Sequence, residues 1–288
     1  MPSTILYTSD AKRFEPGVME SIRFFHDHQQ YYRDADPVGD VAVLNTFANT
    51  AYGPAVTRKK WAALTQSLYQ GKIPFTLISD PLPRDLSRFR VVVLADLALI
   101  SEELLSGVRS YVQQGGGLVM TGQAASMDEH GYPRKQTTVA ELFAEPLKDK
   151  TLHAKPGKGR AVYLPQILIP EKFRPGMLPT NRAELLEAVN WAANGPLQVE
   201  VTAPDNVIMN LYSQPSGDRT LHLVNYDKKK PAKDIKVVLQ LSSPKPVPSV
   251  KVLSPDFEPT TLGTEQIENR LRFTVPRLEV YCLVLIES

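Results

Sequence analysis

The sequence predicts an α/β domain on a doubly wound, mainly parallel sheet, followed by a small antiparallel β-sandwich. Three observations predict it. Short, nearly continuous apolar runs alternate with helical stripes up to residue 196. Such runs are buried on both faces, which requires helices on each side of the sheet. Asn194-Gly195-Pro196 then makes a firm helix stop, since glycine closes a helix end and proline cannot extend one. Beyond it lie seven short β-type runs separated by Gly, Pro, Asp and Ser turns, the pattern of a small sandwich.

Taken in order, residues 1–37 read as a helical lead-in and linker. Val18, Ile22 and Phe25 fall at i, i+4 and i+7, a stripe that Tyr32 extends before Pro37 closes it. The α/β domain, expected at 38–196, opens with the buried strand Val38–Leu44. Trp61, Leu64 and Leu68 share one face of a helix over Thr57–Tyr69, with Gly71 just past its end. Phe75–Ile78 and Phe89–Ala95 are the next strands. Ser101 is an N-cap, with Glu102 and Glu103 in the first turn where carboxylates complement the helix dipole. That helix runs to Gln114 and stops at Gly115-Gly116-Gly117, and Leu118–Thr121 resumes as a strand. A polar loop over Ala124–Thr138 leads to a helical segment at Val139–Phe143, a strand at Ala161–Leu164 and a helix over Asn181–Ala193. The β domain, expected at 197–288, takes its strands from Leu197–Thr202, Val207–Tyr212, Thr220–Tyr226, Ile235–Leu241, Val250–Leu253, Leu271–Val275 and Val280–Ile286. Ile235, Val237 and Leu239 alternate onto one face, as do Leu221 and Leu223.

Composition removes several functions. Apolar residues make up 42% and charged residues 22% of 288, ordinary values for a globular chain. Lys+Arg 33 against Asp+Glu 31 leaves +2, so no overall field draws the chain to nucleic acid or an anionic membrane. The single cysteine, Cys282, excludes an internal disulfide and a cysteine-based zinc cluster, and reads as a small buried apolar residue. No apolar run reaches the about 18 residues of a membrane span, and MPSTILYTSDAKRFEPG lacks the apolar core of a signal peptide. The expectation is a soluble chain, cytoplasmic as given, with no membrane or nucleic-acid partner. The 24 prolines, concentrated after residue 165, weigh against a helical second half.

Ligands of open α/β sheets bind beyond the carboxyl ends of the strands. Those ends offer Asn45, Ser79, Asp80, Asp96 and Thr121-Gly122-Gln123, and the next loop adds Asp128, Glu129 and His130. Asn45, Asp96, Gln123, Asp128 and Glu129 are the ligand-binding candidates. No catalytic set is expected. Thr121 lacks the His and Asp partners that activate a hydroxyl nucleophile, and adjacent Asp128 and Glu129 diverge instead of facing one another across a sugar-sized cleft. The triple glycine follows a helix, whereas a phosphate cradle precedes one. The histidines have no Cys or His partner at ligand spacing, so neither metal nor cofactor is expected. His222, between Leu221 and Leu223, faces outward from its strand. Lys228-Lys229-Lys230 reads as a solvated turn.

ADPVGDVAVLNTFAN, KIPFTLISD and LSRFRVVVLADLALISEELLSGVRSYVQQGGGLVMTGQAASMDEHG together resemble the glutamine-amidotransferase-like domain that follows the catalytic barrel in family-42-like β-galactosidases and related glycoside hydrolases. There it is called the trimerisation domain. DRTLHLVNYDKKKPAKDIKVVLQL through RLRFTVPRLEVYCLVLIES resembles their C-terminal β-domain, and SIRFFHDHQQYYRDADPV looks like the helix and linker leaving the barrel. The resemblance covers roughly residues 20–288. It implies a flavodoxin-like sheet of the class I glutamine-amidotransferase type, but the elbow cysteine of that class is missing, and a (β/α)₈ barrel needs about 250 residues of its own.

The resemblance therefore implies a non-catalytic accessory or oligomerisation region of a β-galactosidase-like glycoside hydrolase of carbohydrate metabolism. Its expected partners are copies of itself, a trimer among the forms, or a (β/α)₈ catalytic barrel. The alternatives are a stand-alone hydrolase using the strand-end crevice, and a carbohydrate-binding protein, with Tyr212, Tyr226 or Phe257 of the β domain as further stacking platforms.

Overall fold

The computed structural model describes residues 16–79, 85–135, 139–143, 145–147, 149–174, 176–227, 229–241 and 247–287. Residues 1–15 of the lead-in, Asp80, residues 136–138 of the polar loop and Lys228 lie outside the described residues. The chain enters through helix α1 (Pro16–Asp27), a 3-10 turn at Gln29–Tyr31 and a two-residue strand, β1 (Asp36–Pro37). The helix is shorter than its apolar stripe, and that stripe is not what it buries. Val18, Ile22 and Phe25 are exposed, while Phe24 packs on Leu253, Leu283 and Leu285. Periodicity establishes a helix without saying on which side its neighbour lies.

The first sheet contains β2 (Val41–Leu44), β3 (Phe75–Ile78), β4 (Val91–Ala95), β5 (Gly117–Thr121), β6 (Leu152–Ala154) and β7 (Arg160–Leu164). Its order is β3-β2-β4-β5-β7-β6, parallel throughout except for β6, which pairs antiparallel at the edge. Four helices accompany it: α2 (Phe47–Tyr52), α3 (Ala55–Gln70), α4 (Glu102–Gln113) and α5 (Arg182–Ala192). Val41, Val43, Val91 and Val93 cluster with Leu64 and Leu68 of α3 and Leu185 and Val189 of α5. Ala42, Leu44, Val92 and Leu94 cluster with Leu105 and Val108 of α4. Successive strand residues thus bury on opposite faces, which is why these strands read as continuous apolar runs.

Two local signals act as the sequence implies. Ser101 Oγ accepts the Leu104 N–H at 3.3 Å as the α4 cap. After α4, the N–H groups of Gly115 and Gly116 satisfy the carbonyls of Val112 and Tyr111 at 3.0 Å each. Gly115 has φ +126°, and a Cβ at Gly116 would collide with the Tyr111 ring. The triple glycine closes a helix under an aromatic ring.

Past residue 197 the strands are β8 (Val199–Thr202), β9 (Val207–Ser213), β10 (Arg219–Asn225), β11 (Ala232–Gln240), β12 (Ser249–Leu253), β13 (Thr260–Thr261), β14 (Thr264–Ile267), β15 (Arg270–Leu278) and β16 (Tyr281–Glu287). They form two antiparallel sheets, β1-β9-β10-β16-β12-β13 and β14-β15-β11-β8. Leu221, Leu223, Val252 and Val284 of one share a cluster with Ile235, Val237, Leu239 and Phe273 of the other. Cys282 sits fully buried there, and burial pushes its thiol up to about 12. The lead-in joins this part of the molecule: Asp36 and Pro37 pair with Ser213 and Tyr212.

Two carboxylates clasp the helical and β parts together. Asp40 Oδ2 accepts the Gln198 N–H at 2.6 Å, and its Oδ1 lies 3.3 Å from Arg90 Nε. Burial nonetheless pushes the Asp40 carboxyl above its ordinary value, against the pull of that amide and of Arg90 and Arg219. Asp205 receives both Arg182 guanidinium nitrogens at 2.8 and 3.1 Å, with Lys72 Nζ at 3.7 Å. The Arg182 hydrogen bonds lead in holding its carboxyl below the ordinary value.

Candidate functional site at the strand ends

In the parallel sheet the chain winds outward in both directions from β2 and β4, so the order reverses between them. Open α/β sheets bind ligands at the carboxyl end of that reversal. Here the position is plugged from within. Asp96, directly after β4, is 2% exposed at its side chain and pairs with Lys60 Nζ of α3 at 2.7 Å, itself 18% exposed. Its other oxygen accepts the Thr121 hydroxyl at 2.8 Å, while the Asp96 N–H donates to Thr121 Oγ1 at 3.0 Å.

The backbone around this group is as constrained as its side chains. Asp96 has φ +48° and Gly122 φ +54°, the left-handed region. A Cβ at Gly122 would run into Asp96 Oδ1. Only glycine lets β5 end so close to the carboxylate. Tyr163 adds a hydroxyl bond to the Gly122 carbonyl at 3.3 Å, and burial, with Asp96 next, raises its phenol.

The other candidates serve local geometry. Asn45 continues the β2–β3 pairing through its N–H to the Ile78 carbonyl at 2.9 Å and donates from Nδ2 to Thr50 Oγ1 at 2.8 Å. Asp128 folds its own loop: Oδ1 accepts the N–H groups of Tyr132 at 2.8 Å and His130 at 2.9 Å, and these bonds hold its carboxyl below the ordinary value. Gln123 and Glu129 are exposed. Among the described residues no hydrogen bond or ion pair joins Asp128 or Glu129 to Asp96.

Sequence reasoning missed Lys60 and α2. Lys60 precedes the Trp61 stripe and has the look of a solvated helix lysine. Helix α2 is capped by Thr46, whose Oγ1 accepts the Asn49 N–H at 3.1 Å and donates to the Leu99 carbonyl at 2.7 Å. Asn49 Oδ1 in turn accepts the Ala98 N–H at 3.1 Å. A Thr three residues before an Asn was the available signal, too weak to mark so short a helix. Met127 pairs with Leu99 in an isolated parallel bridge, so the Asp128 loop and the start of α2 are tied to the same buried residue. Phe47, Tyr52 and Tyr132 are 68%, 76% and 70% exposed, and the rings of Phe47 and Tyr52 meet edge to face at 6.5 Å.

Among the described residues no three His, Cys, Asp or Glu side chains group as metal ligands, and no helix is long and apolar enough to cross a membrane. The chain is thus mixed α/β and rich in β structure, with its strand-end carboxylate Asp96 locked into an ion pair. Residues 66–144 match the family model of the β-galactosidase trimerisation domain. That segment runs from within α3 through the triple glycine and the Asp128 loop.

Solved structures agree on the fold. The β-galactosidase from Bacillus circulans sp. alkalophilus superposes with a TM-score of 0.60 at 13% identity, over 93% of this chain and 44% of that one. Gan42B, a family-42 β-galactosidase from G. stearothermophilus, gives 0.58 at 16% identity, over 88% and 41%. The α-L-fucosidase isoenzyme 2 of Paenibacillus thiaminolyticus gives 0.57 at 18% identity, over 92% and 51%. The chain thus spans about half or less of these enzymes. No curated protein matches it.

Proposed function

We propose that this chain is the non-catalytic, self-associating region of a β-galactosidase-like glycoside hydrolase of carbohydrate metabolism. In this reading residues 38–196 form a flavodoxin-like, doubly wound domain and residues 197–288 a β-sandwich. The strand-end surface, with Phe47, Tyr52 and Tyr132 as anchors and Asn45, Gln123, Asp128 and Glu129 as its polar rim, meets a second copy. The exposure of the paired Phe47 and Tyr52 rings, and of Tyr132, carries the reading, since such residues are enriched where protein surfaces meet. The match of residues 66–144 to a trimerisation domain supports it, and a catalytic barrel in the parent protein is the further partner.

Light scattering with sedimentation over a wide concentration range tests this. The chain is expected to form an oligomer that dissociates in Tyr52→Ser/Tyr132→Ser; a strict monomer at high concentration refutes the reading. Glycoside hydrolysis by the chain alone is not expected. That reaction takes two carboxyl groups about 5–9.5 Å apart, and both oxygens of Asp96 are occupied. Turnover of a nitrophenyl galactoside that disappears in Asp96→Asn would restore the hydrolase alternative.

A further inference from the structure

Far from the strand ends, the outer face of the six-stranded antiparallel sheet holds a cavity of about 280 Å³. Its floor comes from alternate residues of neighbouring strands: Asn210 and Tyr212 of β9, His222 of β10 and Tyr281 of β16. His222 stands directly across from Asn210 in the ladder. Its wall is the lead-in, through Phe25, Tyr31 and Tyr32. The sequence placed His222 outward from its strand, which is correct, but the lead-in turns that outward face into a half-open pocket.

The polar groups of this cavity form a chain with a loose end. Tyr32 and Tyr281 hydroxyls are 2.9 Å apart, and Tyr281 Oη lies 2.8 Å from His222 Nδ1. His222 Nε2, at the far side of the ring, is buried without a hydrogen-bond partner among the described residues. Buried polar atoms without partners are rare because they lose water and gain nothing. Burial also depresses the imidazole to about 4, so it is neutral near pH 7. The direction of the Tyr32–Tyr281–His222 chain then decides whether Nε2 donates or accepts. A hydroxyl partner satisfies either case.

No side chain in the lining carries a formal charge at neutral pH, which disfavours ionic ligands. The lining offers instead the edges and faces of Phe25, Tyr31 and Tyr212, one amide and several hydroxyls. Apolar rings beside uncharged polar groups suit a ligand with an apolar face and a hydroxylated rim. The volume lies just below the about 300–1,000 Å³ of small-molecule sites, which suits a single ring better than an extended chain. We propose that this half-open pocket binds one ring of a neutral saccharide, stacked against Tyr212 and hydrogen-bonded to the exposed amide of Asn210, beside His222. Of the other platforms expected from the sequence, Phe257 packs on the β core and Tyr226 lies exposed outside the cavity.

The test is a titration of the whole chain, labelled on tyrosine and histidine rings, with methyl β-D-galactoside, methyl β-D-glucoside and L-fucose. At least one is expected to shift the Tyr31, Tyr212 and His222 ring resonances saturably. Tyr212→Ala is expected to weaken that binding on the order of ten-fold, with Tyr226→Ala unchanged. Asn210→Ala, at an exposed side chain, serves if Tyr212→Ala does not fold, and is expected to weaken binding too. Rings silent to all three sugars, affinity untouched by the cavity variant, or a response to a polyproline peptide alone would each overturn the assignment. None of these readouts depends on whether the chain self-associates.

Discussion

Asp96 is buried because Lys60 and Thr121 reach it, and each of the three would be costly to bury alone. Breaking a buried pair from one side leaves an uncompensated charge, a loss of about 3–5 kcal/mol. Lys60→Met is therefore expected to destabilise by about 3 kcal/mol, at the lower end because Lys60 keeps some contact with water. Lys60→Met/Asp96→Asn, which removes both charges, is expected to recover more than half of that. Urea unfolding of the three proteins measures it, and a Lys60→Met chain as stable as wild type would remove the pair's structural role. The sequence showed Asp96 at a strand end, where it read as an ordinary polar residue. Its partners lie 36 residues earlier and 25 residues later, a distance that no local pattern spans.

At the scale of elements, two helix caps look alike in sequence and differ in the fold. Ser101 Oγ makes one capping bond to Leu104, and Ser101→Ala is expected to cost about 1 kcal/mol. Thr46 Oγ1 makes a capping bond and also ties α2 to the Leu99 carbonyl. Thr46→Ala leaves that buried carbonyl unpaired, so the expected loss is about 2 kcal/mol. Unfolding midpoints of the two variants give the comparison, and a larger loss at Ser101 would contradict the double role. The α4 cap was legible because a Ser followed by two acidic residues opens a long amphipathic helix. Six-residue α2 has too few turns for periodicity to register.

Across the whole molecule, the helical and β parts are joined by carboxylates of opposite character. Asp205 has a carboxyl held below the ordinary 3.8, so its contribution is complete above that value and is lost as pH falls through the lower, folded-state value. Asp40 is raised, so its contribution is present below its unfolded value and declines as pH rises through the folded one. Asp205→Asn is expected to be less stable than wild type at pH 7 by less than about 1 kcal/mol, since Asp205 is exposed. That difference is expected to be smaller at about pH 3, below the unfolded value, and to vanish only below the folded-state one. Urea midpoints of both proteins at the two pH values check it; a gap undiminished in acid would separate Asp205 ionisation from the joint.

By itself the sequence determined most strands (it missed the short β1, β6, β13 and β14) and most helices, the change of texture at Asn194-Gly195-Pro196, the role of the triple glycine and the burial of Cys282. These follow from short-range causes: apolar period, capping chemistry and the conformational limits of Gly and Pro. It also carried the resemblance to the β-galactosidase trimerisation domain, because that lies in distributed apolar pattern. Only the tertiary structure decided which carboxylate is sealed and by what, that Phe24 rather than the Val18, Ile22 and Phe25 stripe is buried, and that the lead-in completes the antiparallel sheet. It alone turned His222 from an outward strand residue into part of a half-open pocket. Each depends on which segments distant in sequence become neighbours, and that is settled by the packing of whole elements.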